Sequence, residues 1–314
     1  MGWRIQGGAM FDVELEKQVI EVVDQQHSVL GSELAEAFDQ RYFDLWRVCE
    51  NSPRIYAAQF ARWYLRVDSE VDGYARLSPS ILRNFLTYVQ FSNVDNFEKA
   101  VEDGNRQREL HSEVSKKKRT IAKQLIAQSL PEALLDRVGV LIAGDVCRDM
   151  AHEVPRPERS TGQIVKGSDI DLILVMGDED ATLREELEGR LLEAKNLYLR
   201  HPALREELDF VVNSIAHYEK VSVFENPKQM ISCKAALEGQ FLAGDRGCIV
   251  KARDVLVRAD IPRKVLDMTE RAFSQRLQTI ERLRKNPEWI NSPQEKRQFF
   301  FSDEIWEFML DEND

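Results

Sequence analysis

The sequence predicts an α+β fold: a small mixed β-sheet flanked by N-terminal and C-terminal helical regions. Two observations lead there. Three short apolar runs rich in β-branched residues, Val138-Gly-Val-Leu-Ile-Ala143, Ile170-Asp-Leu-Ile-Leu-Val175 and Leu208-Asp-Phe-Val-Val212, have the length and composition of buried strands. On both sides of them, apolar residues recur at three- and four-residue steps, the period of helices packed by one face.

Residues 1–10 show no pattern and read as a loose arm or a cloning remnant. From 11 to 135 the chain reads as a helical N-terminal domain. Phe11-Asp-Val-Glu-Leu-Glu-Lys-Gln-Val-Ile-Glu-Val-Val has near-helical apolar spacing, Asn51-Ser52-Pro53 breaks it, and Tyr56, Phe60, Trp63, Tyr64 and Val67 resume it. That aromatic stripe reads as helix-packing core, with a ligand surface as the alternative. Ser78-Pro79 signals a helix start ahead of Ile81, Leu82, Phe85, Leu86 and Val89. Ser92-Asn93 marks a break before a long charged helix over about 95–129. Its basic run, Lys116-Lys117-Lys118-Arg119, reads as a solvated helix face, with a phosphate or RNA contact as the alternative.

A core domain is expected over 136–225. The strand from Val138 ends in Gly144-Asp145, and a polar loop with Pro155 and Pro157 leads to the strand at Asp169. Gly177-Asp-Glu-Asp opens a helix over about 181–200, with acids at its start where the helix dipole favours them. His201-Pro202 ends that helix, and Leu208 begins the third strand. From 226 to 314 the pattern is a helical C-terminal region, with Phe241-Leu-Ala-Gly-Asp245 as a short strand or turn. The aromatic and acidic segment from Phe299 is expected to dock on its own chain, with a partner as the alternative.

Composition excludes several classes. A net charge of -11 opposes a long polyanion as the main ligand. No run approaches the 18 or so apolar residues of a membrane span, so no membrane partner is expected. Cys49, Cys147, Cys233 and Cys248 are scattered without a CxxC pair, which argues against zinc and for free thiols in a reducing cytoplasm. His27, His111, His152, His201 and His217 lack the i, i+4 spacing of a helical metal pair and read as structural or surface residues.

The chemistry centres on Ser168-Asp169-Ile170-Asp171. Side chains alternate along a strand, so Asp169 and Asp171 leave the same face close together. Two ionised carboxylates side by side repel unless a cation lies between them. Hard divalent metals prefer such oxygen donors together with substrate phosphates, so the pair suggests a Mg²⁺ site. Asp209 supplies a third carboxylate near the start of another predicted strand.

These residues resemble the DNA polymerase β-like nucleotidyltransferase superfamily, its bacterial minimal and uridylyltransferase-like members in particular. The resemblance covers roughly residues 136–215, about a quarter of the chain, and is most specific over Ser168 to Val175. It implies transfer of a nucleoside monophosphate from a nucleoside triphosphate to an acceptor, with release of pyrophosphate. It also implies that Asp169, Asp171 and Asp209 hold two Mg²⁺ ions, with Mn²⁺ as a substitute, and that Asp209 activates the acceptor hydroxyl. Gly144, Gly167 and Ser168 would then contact the triphosphate, with Arg148 and Lys234 as candidate cations and Lys166 a lesser one.

The sequence departs from the family at Gly144-Asp145, where a Gly-Ser or Gly-Gly turn grips the terminal phosphates. Asp is a poor phosphate ligand, and the loop from Gly144 to Asp169 is long. Either Gly167-Ser168 supplies part of the grip, or nucleotide handling differs, or the protein is a catalytically degenerate protein-interaction module. Arg148 reads equally as an ion-pair partner, and Pro155-Arg-Pro-Glu-Arg159 as an acceptor loop or a plain surface loop. The acidic balance favours a protein or small-molecule acceptor over RNA. A phosphohydrolase on the same acids needs a residue to position water, and the sequence shows no candidate.

Overall fold

The computed structural model describes residues 3–6, 9–158, 160–286 and 293–308. The chain is α+β. It divides into two compact units: residues 67–75 and 110–268 form one, and residues 1–66, 76–109 and 269–314 form the other. The boundaries expected near 135 and 225 both fall inside the first of these.

The unit built on residues 110–268 holds the predicted strands. Helix α1, Phe97–Ser129, contributes its residues from 110 onward. Strand β1, Val138–Ile142, leads into a single-turn helix α2, Gly144–Cys147. The segment expected as an irregular loop contains an antiparallel pair, β2 at Pro155–Pro157 and β3 at Ile164–Lys166. Strand β4, Ile170–Met176, is followed by helix α3, Ala181–Arg200, strand β5, Leu208–Ser214, and helix α4, Ile215–Val221. Helix α5, Pro227–Glu238, strand β6, Gln240–Gly244, and helix α6, Arg246–Arg258, complete the order.

Four strands form one sheet in the order β5-β4-β1-β6. β4 and β5 run parallel, joined by α3, while β1 is antiparallel to both β4 and β6. All five residues of β1 are buried, which is why its sequence is an unbroken apolar run rather than an alternating one. Leu183, Leu187, Leu191 and Ala194 of α3 and Ala122, Leu125 and Ile126 of α1 join the strand residues in one core. Asp180 caps α3 by accepting a hydrogen bond from the Leu183 amide, so the predicted helix start was set by its cap.

The other unit corrects the expectation of helix throughout residues 11–135. Helices occur at Val13–Gln26, Gly31–Ala37, Tyr42–Asn51 and Ile81–Thr87, but Val29–Leu30, Val89–Asn93 and Ile55–Gln59 form an antiparallel sheet with Val89–Asn93 in the middle. Tyr64–Val67 and Ala75–Ser78 are also strands, each crossing the boundary between the units by one residue. The aromatic stripe is therefore not helical. Tyr56 lies on one strand, Phe60 and Trp63 in a connection, and Tyr64 and Val67 on the next strand. Residues 3–6 and 9–12 pair as two antiparallel strands.

Residues 299–308, the described part of the C-terminal segment, dock on their own chain as expected. Phe299 and Phe300 are buried in this unit's core, and the Phe299 ring lies 5.4 Å from those of Phe43 and Trp46. Arg83 pairs with both Glu304 and Glu307. Among the described residues, no helix is long and apolar enough to cross a membrane.

Candidate metal and nucleotide site

Asp169 immediately precedes β4, Asp171 is its second residue, and Asp209 is the second residue of β5. The parallel pairing sets Asp171 directly opposite Asp209. Each of the three carboxylates offers an oxygen within 4.8 Å of the others. Asp169 and Asp171 are partly buried, whereas the Asp209 side chain is 50% exposed. The structure thus brings together all three acids predicted from the sequence.

The cluster is electrostatically frustrated. Burial pushes the Asp171 carboxyl well above its usual range, and Asp169, Asp209, Asp145 and Glu207 push it further. Burial also raises Asp169, with Arg156 opposing and Asp209 reinforcing the rise. A set of hard oxygen donors with this much mutual repulsion fits a hard divalent cation.

The surroundings are specific. Gly144 adopts φ +64°, and a Cβ there would lie 2.0 Å from Asp171 Oδ2, so only glycine permits both the backbone and the close approach. The Ala143 amide donates to the Asp171 carbonyl oxygen at 2.9 Å, which seats this turn against β4. Glu207, two residues before Asp209, pairs with Arg156 of β2 at 2.8 Å. Lys195 of α3 reaches Asp209 Oδ1 at 2.6 Å. Comparison with protein-family models, with curated proteins and with solved structures found no match to this chain.

The remaining predicted residues have other partners. Arg148 and Lys234 both pair with Glu238, Lys234 at 2.6 Å, and burial lowers the pKa of the Lys234 ammonium. Gly167 has φ +58°, with no room for a Cβ against the His152 carbonyl. Its own carbonyl accepts from Arg156 Nε at 2.8 Å. The Ser168 amide donates to the His152 carbonyl, and the Ser168 hydroxyl accepts from the His152 amide. Gly167 and Ser168 thus hold the segment before β4 onto residue 152. Lys166 donates from its ammonium to the Ala203 carbonyl at 2.6 Å.

The basic run on α1 is not a plain solvated face. Lys118 is 1% exposed and pairs with the buried Glu206, Lys117 pairs with Glu153 at 2.6 Å, and Arg119 pairs with Asp149 at 2.7 Å. Sequence reasoning also missed Glu207 and Lys195, and placed Arg156 only in a candidate acceptor loop, not beside the acids. Glu207 carried a usable signal, because its two-residue spacing from Asp209 on an extended chain repeats the Asp169/Asp171 spacing. The pairing of Arg156 with Glu207 and of Lys195 with Asp209 carried none, since each forms only after the loop and α3 have folded back.

Proposed function

We propose that this chain is a nucleotidyltransferase of the DNA polymerase β-like kind, moving a nucleoside monophosphate from a nucleoside triphosphate to an acceptor and releasing pyrophosphate. The supporting observation is the trio Asp169, Asp171 and Asp209, gathered where two parallel strands begin. The donor set fits two Mg²⁺ ions, or Mn²⁺, held by these three side chains. When bound, the metal would lower the pKa of the attacking oxygen and offset the charge of the phosphates.

The chain's own residues would divide the remaining work. Asp169 and Asp171, partly buried, would fix the reacting end of the substrate. Asp209, the most exposed of the three, would take the proton of the acceptor hydroxyl on its carboxylate. Arg148 and Lys234 would exchange Glu238 for phosphate oxygens. With net charge -11, the acceptor is proposed to be a protein or a small molecule rather than RNA. The four cysteines are free and buried, which supports a reducing, cytoplasmic setting.

A second reading, a degenerate interaction module, has one observation in its favour. Arg148 and Lys234 are paired with the chain's own Glu238, and Lys195 with its own Asp209. One assay separates the two readings: protein with Mg²⁺, each labelled nucleoside triphosphate in turn, and cell extract. Transfer of label by wild type, and its loss in Asp169→Ala and Asp171→Ala, is expected. A wild type that transfers nothing and binds no nucleotide in a Mg²⁺-dependent way would sink the enzymatic reading.

A further inference from the structure

The proposed site leaves the buried Lys118–Glu206 pair without a role. Lys118 projects from α1, and its ammonium donates both to the Glu206 carboxylate and, at 2.9 Å, to the Lys166 carbonyl. Lys166 lies three residues before Asp169, and Glu206 three residues before Asp209. One side chain therefore holds the approaches to both acid-bearing strands. Two backbone bonds tie the same approaches together: the Lys166 amide donates to the Arg205 carbonyl at 3.0 Å, and the Ile170 amide to the Glu207 carbonyl at 2.9 Å.

Stability alone does not explain this placement. Lys118 and Glu206 are 1% and 2% exposed, and replacing such a buried pair with apolar side chains of similar volume is often neutral or stabilising. What the pair adds is directional bonding. A hydrophobic contact would tolerate sliding of one approach past the other, whereas an ammonium with two fixed acceptors does not. The neighbouring Arg119 acts alike on the third wall, donating to the Val146 carbonyl and to Asp149, both at 2.7 Å, in the turn that begins at Gly144.

We propose that Lys118 is a positioning residue for the metal cluster: by bonding Lys166 and Glu206 together it sets the spacing between Asp169/Asp171 and Asp209. This role rests on the metal-dependent reading of the site given above. Misplacing the supports of metal ligands typically weakens metal binding by about 10–100-fold without removing a ligand.

The test measures Mn²⁺ binding by electron paramagnetic resonance, alongside Tm, for four proteins: wild type, Lys118→Met/Glu206→Leu, Glu206→Gln and the exposed control Lys116→Gln. The double variant should keep a wild-type Tm within a few degrees yet bind Mn²⁺ about tenfold or more weakly. Glu206→Gln still offers Lys118 an acceptor, so although loss of the counter-charge should lower its Tm, the folded protein should lose less than about threefold in Mn²⁺ binding, and Lys116→Gln should match wild type. A double variant that binds like wild type overturns the proposal, as does one that fails to fold, since the pair then serves the fold itself. So does a loss in Glu206→Gln as large as in the double variant. A wild type that binds no Mn²⁺ overturns the metal reading beneath it, and the wild-type arm alone reveals that failure.

Discussion

Asp171 lies directly opposite Asp209 across the parallel pairing of β4 and β5. Opposed like charges destabilise a strand pair, and here Asp169 and Asp145 add to the load on Asp171. Asp171→Asn keeps the shape and removes the charge. In EDTA at neutral pH the variant should melt about 2–4 °C above wild type, while losing any stabilisation by Mn²⁺. Differential scanning fluorimetry with and without the ion reads both effects, and a fall in the EDTA melting temperature would contradict the repulsion described here.

Gly144→Ala separates the fold from the site. The positive φ should cost about 1–2 kcal/mol, a modest loss measurable by denaturant titration. The added methyl, however, displaces the Asp171 carboxylate that occupies its place. Mn²⁺ binding should therefore fall far more than stability does. A variant that binds the ion normally would show that Asp171 has another productive position.

Glu238→Gln bears on the two basic residues beside the turn. Lys234 is a mostly buried ammonium whose pKa burial lowers, and Glu238 is the acid that offsets this. Without that charge the variant should melt below wild type. Added tripolyphosphate should then raise its Tm by more than it raises that of wild type, because an anion can restore the charge that Glu238 supplied beside Arg148 and Lys234. Equal shifts in the two proteins would remove these residues from the proposed phosphate contacts.

The Glu158 turn carries the clearest pH dependence. Burial pushes the carboxyl up, but the hydroxyls and amides of Ser160 and Thr161 all donate to it and hold it down to about 2. A carboxyl held below its ordinary value stabilises the fold above that value, and the contribution fades as pH falls toward the folded one. Glu158→Gln should thus cost about 1–3 kcal/mol near pH 7. The difference from wild type should shrink from pH 4.5 downward and be small near pH 2. Hydrogen exchange at the Ser160 and Thr161 amides across that range checks the trend.

The unit carrying the acids was legible in the sequence because its signals are local. β1, β4 and β5 are short apolar runs, α3 announces its start with Asp180, and a two-residue spacing places Asp169 and Asp171 together. The strands of the other unit were not. Four of the five residues of Val89–Asn93 are buried, so that strand shows no alternation. Tyr56, Phe60, Trp63, Tyr64 and Val67 imitate a helical period although they belong to two strands and the connection between them. Ion pairs were the least legible of all. Lys118 and Glu206 are 88 residues apart, and nothing in either neighbourhood names the other.

The two strands that carry the acids differ in restraint. β4 lies inside the sheet, bonded to β5 on one side and β1 on the other, whereas β5, among the described residues, is an edge with a single neighbour. Asp171 is thus held by backbone bonds from two neighbouring strands, whereas Asp209 has those of one strand and depends for the rest on the bond from Lys118 to Glu206, three residues before it.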